Sequence, residues 1–364
     1  MGCELAKPQA VFECGLGSCQ LWLRISLVVF ALIHLSSRVH AKDRVVVQPP
    51  ENVSPLVISG DIVDYTSKII SLHINDELPI RTFPADQVIS VEAVQTEAHR
   101  EGVTLYNTAE IDKAVGSFQQ ALEDESRKWV QCEILGWLVR CATRQRDRVT
   151  AATRYLQLVE IEPSPREAPL IPLVWDTAET STSLRQNART WLTSHNDVAR
   201  LLGASVLLLE PAYGDVTCGT LRRIVTTGDE TLEPLARAQL WRLRVTQDVT
   251  QDEFASWGHE IQRMPSTLRA GPYFVLGRTL VQQSEYDRAA AAFLWLTTVH
   301  RENEPLAAQA TVYAGTALMR LGRADEARSL WQEVVSDWRW TPAAAEARGL
   351  IDQTTPTRDA RTDG

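Results

Sequence analysis

Tyr273-Phe274-Val275-Leu276-Gly277 and Ala314-Gly315, each with the residues that follow, decide how this chain is read. After Gly277 come Leu280, Ala289, Phe293 and Leu296; after Gly315 come Leu318, Ala327, Trp331 and Val334. In both copies an apolar residue stands three positions beyond the glycine, an alanine twelve and an aromatic sixteen, and the copies are offset by 38 residues. Apolar residues at this spacing predict two helices joined by a short turn, repeated. The glycine and alanine mark where the two helices cross closely, and the aromatic fills the space beside them.

The same spacing recurs upstream in Gly102, Leu105, Ala114 and Phe118. Gly136 lies 34 residues after Gly102, and Ala151, Tyr155 and Leu158 take the later slots once three residues are inserted. That insertion is assigned to a longer turn over Gln145–Val149. The pattern resembles the tetratricopeptide repeat, with its W-x2-L-G-x2-Y…A-x3-F signature. The resemblance implies an α-solenoid of helical hairpins whose first helices line a concave groove. Inner-face positions are then His99, Val103 and Tyr106 in the first repeat, Phe274, Arg278 and Gln282 in the third copy, and Val312, Thr316 and Arg320 in the fourth. The Lys and Asn set by which some family members clamp a peptide carboxylate is absent; Arg278 and Arg320 could meet an acidic group.

Between the repeats, Pro163, Pro165, Pro169 and Pro172 argue against helix. Apolar helices follow at Val198–Leu209, around Leu221 and Ile224, and at Leu232–Leu243; Phe254, Trp257 and Ile261 mark one more. Ala204 and Ala238 are 34 apart, and this region resembles HEAT-type helical pairs. Ahead of the helices, Arg44–Val47, Val57–Tyr65, Ile69–Ile74, Ile80–Phe83 and Val88–Val94 read as five short strands separated by turn residues. They predict a small antiparallel barrel or curled sheet, SH3-like or Sm-like, leaning on the first helices. Gly60, Ile62, Asp64, Tyr65 and Thr66 resemble small β modules that precede helical repeats in some exported bacterial proteins.

The N-terminus has a different character. Ile25–Leu35 is an apolar run behind Arg24, and Val39-His40-Ala41 follows as a small-residue site, the layout of a signal peptide. The run is too short to span a bilayer, which needs roughly 20 residues. An uncleaved signal would act as a membrane anchor. The organisation expected is a signal peptide (1–41), a small β module (42–94), tetratricopeptide-like repeats (95–163), a HEAT-like helical region (164–266), further tetratricopeptide-like repeats with a capping helix (267–352) and a disordered tail (353–364).

Charge and chemistry narrow the function. The chain carries a net charge of −9; residues 1–41 hold three basic and two acidic residues, so the remainder has 34 against 44 and a net charge of −10. Such a chain repels nucleic acid and anionic lipid. Arg140, Arg144, Arg146 and Arg148 are read as a solvated turn. Cys132 and Cys141, nine apart on one helix, lie roughly 13 Å apart and cannot bridge; with Cys218 they are an odd set and read as buried apolar residues. No metal-spaced His/Cys group, HExxH, G-x-S-x-G, Gly-rich phosphate loop or dinucleotide fingerprint is present. Ser194, His195 and Asp197 read as a helix N-cap at Asn196-Asp197. Trp137, Trp191, Trp241, Trp295 and Trp331 fall on apolar helix stripes, while Trp338 and Trp340 are expected to be partly exposed.

These observations point to an exported, non-enzymatic scaffold that binds a protein or peptide and needs no cofactor or metal. Its contact residues are expected to be His99, Tyr106, Phe274, Arg278, Gln282, Thr316 and Arg320. The alternative, motivated by the export signal and the tryptophans, is an enzyme subunit that binds or processes cell-envelope polysaccharide.

Overall fold

A computed structural model describes residues 42–49, 54–75, 77–176 and 180–354. The five strands are β1 (Asp43–Val47), β2 (Leu56–Tyr65), β3 (Ile69–His73), β4 (Arg81–Pro84) and β5 (Val88–Glu92). They form one antiparallel sheet in the order β4-β3-β2-β1-β5, with Val45 opposite Ile58 and Val91. The strands fall where expected, but the sheet is open and not a closed barrel. Val45, Val47, Ile58, Ile62, Ile70 and Leu72 are buried.

So small a sheet has a marginal core of its own, and it is tied to the helices by specific contacts. Asp43 is 3% exposed and accepts from the backbone N–H of Ile62 (3.0 Å) and Val94 (2.7 Å). Arg127 donates to the Val94 carbonyl (2.6 Å), and the Trp129 indole N–H donates to the Ile62 carbonyl (3.1 Å).

Fourteen α-helices follow among the described residues. They are α1 (Glu97–Asn107), α2 (Ile111–Asp124), α3 (Lys128–Arg144), α4 (Arg148–Ile161), α5 (Thr182–Leu192), α6 (Asp197–Leu207) and α7 (Gly214–Thr227), then α8 (Leu232–Trp241), α9 (Gln251–Arg263), α10 (Ala270–Gln282), α11 (Tyr286–Val299), α12 (Glu304–Arg320), α13 (Ala324–Asp337) and α14 (Pro342–Thr354). The four hairpins α1–α2, α3–α4, α10–α11 and α12–α13 share one turn. A left-handed residue (Ala109, Arg146, Ser284 or Gly322, φ 61–79°) closes the first helix of each. The next residue's N–H reaches back five positions: Glu110 to Leu105 (2.9 Å), Asp147 to Ala142 (2.9 Å), Glu285 to Leu280 (2.9 Å) and Arg323 to Leu318 (3.0 Å). This is the Schellman closure, which satisfies carbonyls left open at a helix end.

The second repeat therefore has the same turn as the others, which corrects the longer turn read from the sequence. The left-handed residue comes seven positions after Gly102, Gly277 and Gly315 but ten after Gly136. The three extra residues lengthen α3, which runs to Arg144.

Within three hairpins the glycine meets the aromatic as predicted. A Cβ at Gly102 would stand 2.7 Å from the Phe118 ring, one at Gly277 2.7 Å from Phe293, and one at Gly315 would overlap Trp331. Phe118 also stacks on Trp137 of the next hairpin, with ring centroids 5.8 Å apart. At Gly136 the neighbours are instead Glu167 (3.0 Å) and Leu170 (3.1 Å), from the proline-rich segment.

That segment is part of the core. Residues 102, 136, 170, 204 and 238 step by 34, and the first helices α1, α3, α6 and α8 carry four of these positions. At the third position the chain makes only one 3-10 turn, Ala168–Leu170, in a strap of irregular backbone running from Pro163 to Asp176. Ile171, Leu173, Val174 and Trp175 of the strap are buried. It follows the row of first helices, lying against Gly136 on α3, Ser205 on α6, Gln239 on α8 and Gly271 on α10.

A segment without helical hydrogen bonds must find partners elsewhere. Ser205 Oγ lies 3.4 Å from the Val174 N–H, Gln239 donates to the Val174 carbonyl (3.1 Å), and Arg242 donates to the Asp176 carbonyl (3.0 Å). The Tyr155 hydroxyl donates to the Ala168 carbonyl (3.2 Å). Beyond the strap, α6, α8, α10, α12 and α14 pack successively on one another. The predicted capping helix is α14, which ends with Gln353 and Thr354; the rest of the expected tail, and all of the expected signal peptide, lie outside the described residues.

Candidate interaction surface

The seven candidate residues divide into two groups. His99 is 1% exposed, Tyr106 7% and Phe274 0%, so these three are packing residues and not a contact face. His99 sits edge-on to Phe118, Tyr106 edge-on to Trp137, and Phe274 contacts both Phe293 and Tyr313. Burial lowers the His99 pKa, with Glu133 and Glu125 opposing the shift and Arg127 adding to it. Val312 is also fully buried, and its carbonyl accepts the Trp331 indole N–H (3.2 Å).

Tyr106 is covered because the array meets itself there. Arg144 at the end of α3 donates to both carboxylate oxygens of Glu304 on α12 (2.8 and 2.5 Å) and to the Tyr106 carbonyl (2.9 Å). Its guanidinium lies 3.9 Å from the centre of the Tyr106 ring. Burial, with Glu304 nearby, raises the Tyr106 hydroxyl pKa to about 12. This contradicts the reading of the arginine run as a solvated turn. Arg140 is also half-buried, 4.9 Å from the Trp137 ring centre, and only Arg146 and Arg148 are exposed.

The second group stays accessible. Gln282 and Arg320 are exposed, and Arg278 and Thr316 are half-buried. They stand at i and i+4 on α10 and on α12, so each pair lies on one side of its helix. Among the described residues neither Arg278 nor Arg320 has a carboxylate within ion-pair distance. Arg278 lies 5.9 Å from the Tyr313 ring centre, and Gln309, one turn before Tyr313, donates to Glu346 on α14 (2.9 Å). Tyr313 and Gln309 extend the accessible stripe and were missed from the sequence, although both lie one or two turns back along α12 from Thr316.

Asn196 caps α6 by accepting from the N–H of Val198 (2.8 Å) and Ala199 (3.3 Å), as expected of the Ser194–Asp197 cluster. Cys132 and Cys141 are buried free thiols, both pushed up to about 12 by desolvation. Of the ten tryptophans from Trp129 to Trp340 none is fully exposed; of the two expected to be partly exposed, Trp340 is half-buried and Trp338 is 3% exposed. Among the described residues no group of three or more His, Cys, Asp or Glu could hold a metal ion, and no helix is long and apolar enough to cross a membrane.

The tetratricopeptide repeat family model matches residues 274–350, which run from α10 into α14. Among solved structures, a match is a signal transduction ATPase with numerous domains from Pyrococcus horikoshii, which has a tetratricopeptide repeat sensor. The identity is 13% and the TM-score 0.30; the likeness covers 71% of this chain and 42% of that one. No curated protein sequence matches the chain. The protein is a tetratricopeptide-like helical protein with a small sheet before its helices. Repeats of this kind form surfaces for other proteins.

Proposed function

We propose that the protein is an exported scaffold that binds a protein or peptide on the inner side of α10 and α12, through Arg278, Gln282, Thr316 and Arg320. The observation that carries this reading is the contrast along the row of first helices. From α3 to the start of α10 the row is covered by the chain's own strap, whereas beyond it Arg278 and Arg320 are partly or fully accessible and, among the described residues, have no carboxylate within ion-pair distance. Two arginines without carboxylates suit a partner with acidic side chains, because charge-assisted hydrogen bonds are about twice as strong as neutral ones.

Export is supported by the apolar run Ile25–Leu35 with its small-residue site at Val39-His40-Ala41. The non-enzymatic reading rests on the repeat architecture. The polysaccharide alternative is less favoured, because none of the ten tryptophans from Trp129 to Trp340 is fully exposed. The test is partner capture from envelope and medium fractions with the wild-type chain and with Arg278→Glu/Arg320→Glu. A partner retained by the wild type and lost by the variant supports the reading. Equal retention by both sinks it. Mass spectrometry of the recovered N-terminus checks export: a chain beginning near Lys42 is expected, and an intact N-terminus in the cytoplasm contradicts it.

A further inference from the structure

The strap shows how the inner side of this array holds an extended chain. On α6 and α8 the residue just after the repeat's small position is Ser205, following Ala204, and Gln239, following Ala238. Together they hold both main-chain groups of one strap residue. Ser205 accepts from the Val174 N–H (3.4 Å), and Gln239 donates to the Val174 carbonyl (3.1 Å). The Ser205 hydroxyl gives its own hydrogen to the Leu202 carbonyl (2.8 Å), which leaves lone pairs for that N–H.

The same position on the next two first helices is Arg278, after Gly277, and Thr316, after Gly315. They bear the same two functions. Thr316 Oγ1 donates to the Val312 carbonyl of its own helix (3.0 Å) and keeps lone pairs to accept from an N–H. Arg278 is a donor like Gln239, and its side chain makes no hydrogen bond among the described residues. Ser205 and Gln239 are fully buried, whereas Arg278 and Thr316 are half-buried. Arg278 also stands beside the strap's end. Arg242 donates to the carbonyl of Asp176 (3.0 Å), and burial lowers the Arg242 pKa, with Asp176 opposing the shift and Arg278 and Arg148 adding to it.

We propose that Arg278 and Thr316 hold an extended segment of the partner by its main chain, Arg278 donating to a carbonyl and Thr316 accepting from an N–H, as Gln239 and Ser205 hold the strap. This rests on the inner-side reading and assigns what two of its residues grip. Recognition at this point tolerates changes of partner side chain, and acidic side chains are left to Arg320.

The probes are a capped heptapeptide copying residues 170–176 and the same peptide N-methylated at the position of Val174. Binding to the purified chain is followed by calorimetry. The unmodified peptide is expected to bind saturably, and the N-methylated one about fivefold more weakly, the loss of one net hydrogen bond. Arg278→Met and Thr316→Val each weaken the unmodified peptide by a similar factor. Arg278→Gln and Thr316→Ser, which install the groups found on α8 and α6, keep wild-type binding. Arg278→Gln separates main chain from charge, because an amide donates to a carbonyl but carries no charge for a carboxylate.

No binding of the peptide, equal binding of its N-methylated form, or equal losses with Arg278→Met and Arg278→Gln would overturn the proposal. So would binding that appears only after removal of residues 355–364, which would make the chain's own end the occupant, or only as a dimer of the chain disperses, which would make it a second copy. The inner-side reading fails separately, when a captured partner is indifferent to Arg278→Glu/Arg320→Glu.

Discussion

In α10 and α11 a glycine faces an aromatic ring across the hairpin, and the side of α10 away from that contact is accessible at Arg278 and Gln282. Around α3 the same glycine position, Gly136, faces Glu167 and Leu170 of the strap, and the row beyond it is covered. The regions share the repeat's turn and differ in one substitution of architecture: where the period calls for a helix, four prolines leave an extended segment. A helix satisfies its own backbone. The strap cannot, and it draws side-chain partners from α4, α6 and α8 into the interior. One region leaves Arg278 and Gln282 accessible, and the other uses the corresponding side to hold its own chain.

The comparison breaks most sharply at Trp175, whose ring occupies the space beside Gly271. Trp175→Ala is expected to cost about 3–5 kcal/mol by urea denaturation, as for other buried aromatics; a loss under about 1 kcal/mol would mean the strap is a surface loop. Next is the link between α3 and α12. Glu304→Ala strands Arg144 and should cost roughly 1.5–3 kcal/mol.

Two matched substitutions then sharpen the contrast. Gly277→Ala drives a methyl against the Phe293 ring and should cost about 1–3 kcal/mol. Gly136→Ala meets side-chain atoms of Glu167 (3.0 Å), Leu170 (3.1 Å) and Arg140 (3.6 Å), all farther off than the Phe293 ring is from a Cβ at Gly277, and should cost less. Equal losses would erase the distinction between the hairpins. A smaller effect, of opposite sign, is expected at the turns. Ala109, Arg146 and Ser284 hold left-handed backbone that Gly322 holds without strain. Changing any of the three to Gly should raise stability by up to about 1 kcal/mol.

The pH dependence is the most local prediction. His99 is held neutral by burial, with its pKa below the ordinary 6.5. The unfolded chain therefore binds the proton first. The His99 contribution is fully present above pH 6.5 and declines as pH falls from there toward the lower folded-state value. Against His99→Phe, the wild type should lose more stability between about pH 7.5 and about pH 5.5; parallel curves would contradict this.

Much of this was legible in the sequence. The glycine, alanine and aromatic spacing found three hairpins because it reports steric contact within a hairpin, and the one at Gly136 was found from the 34-residue step with three residues inserted. The five strands were legible from alternation, but closure of the sheet was not, since closure depends on how β4 and β5 meet and not on any one strand. The three inserted residues were visible as a count but not as a location, because helix and turn accommodate them equally well at the level of spacing. The strap was the main loss. Prolines announce the absence of helix but are silent on burial; a signal existed in the 34-residue step from Gly136 through Leu170 to Ala204.

For the site, the family's inner-face positions were chosen by register alone. Register cannot tell an open groove from one closed by Arg144 and Glu304, residues 160 positions apart. Tyr106 fails for that reason, and His99 because it packs edge-on to Phe118 within its own hairpin. Phe274 lies on the same side of α10 as Arg278, one turn earlier, and fails because Phe293 and Tyr313 cover it there.

The most direct test of the account places a photo-crosslinking amino acid at Gln282 or Thr316 on the inner side, and at the exposed Gln332 of α13 as an outer control, in the cells that make the protein. The account predicts one protein adduct from Gln282 and Thr316, absent at Gln332 and lost with Arg278→Glu/Arg320→Glu. Adducts from Gln332 alone, or none from the inner positions, would contradict it.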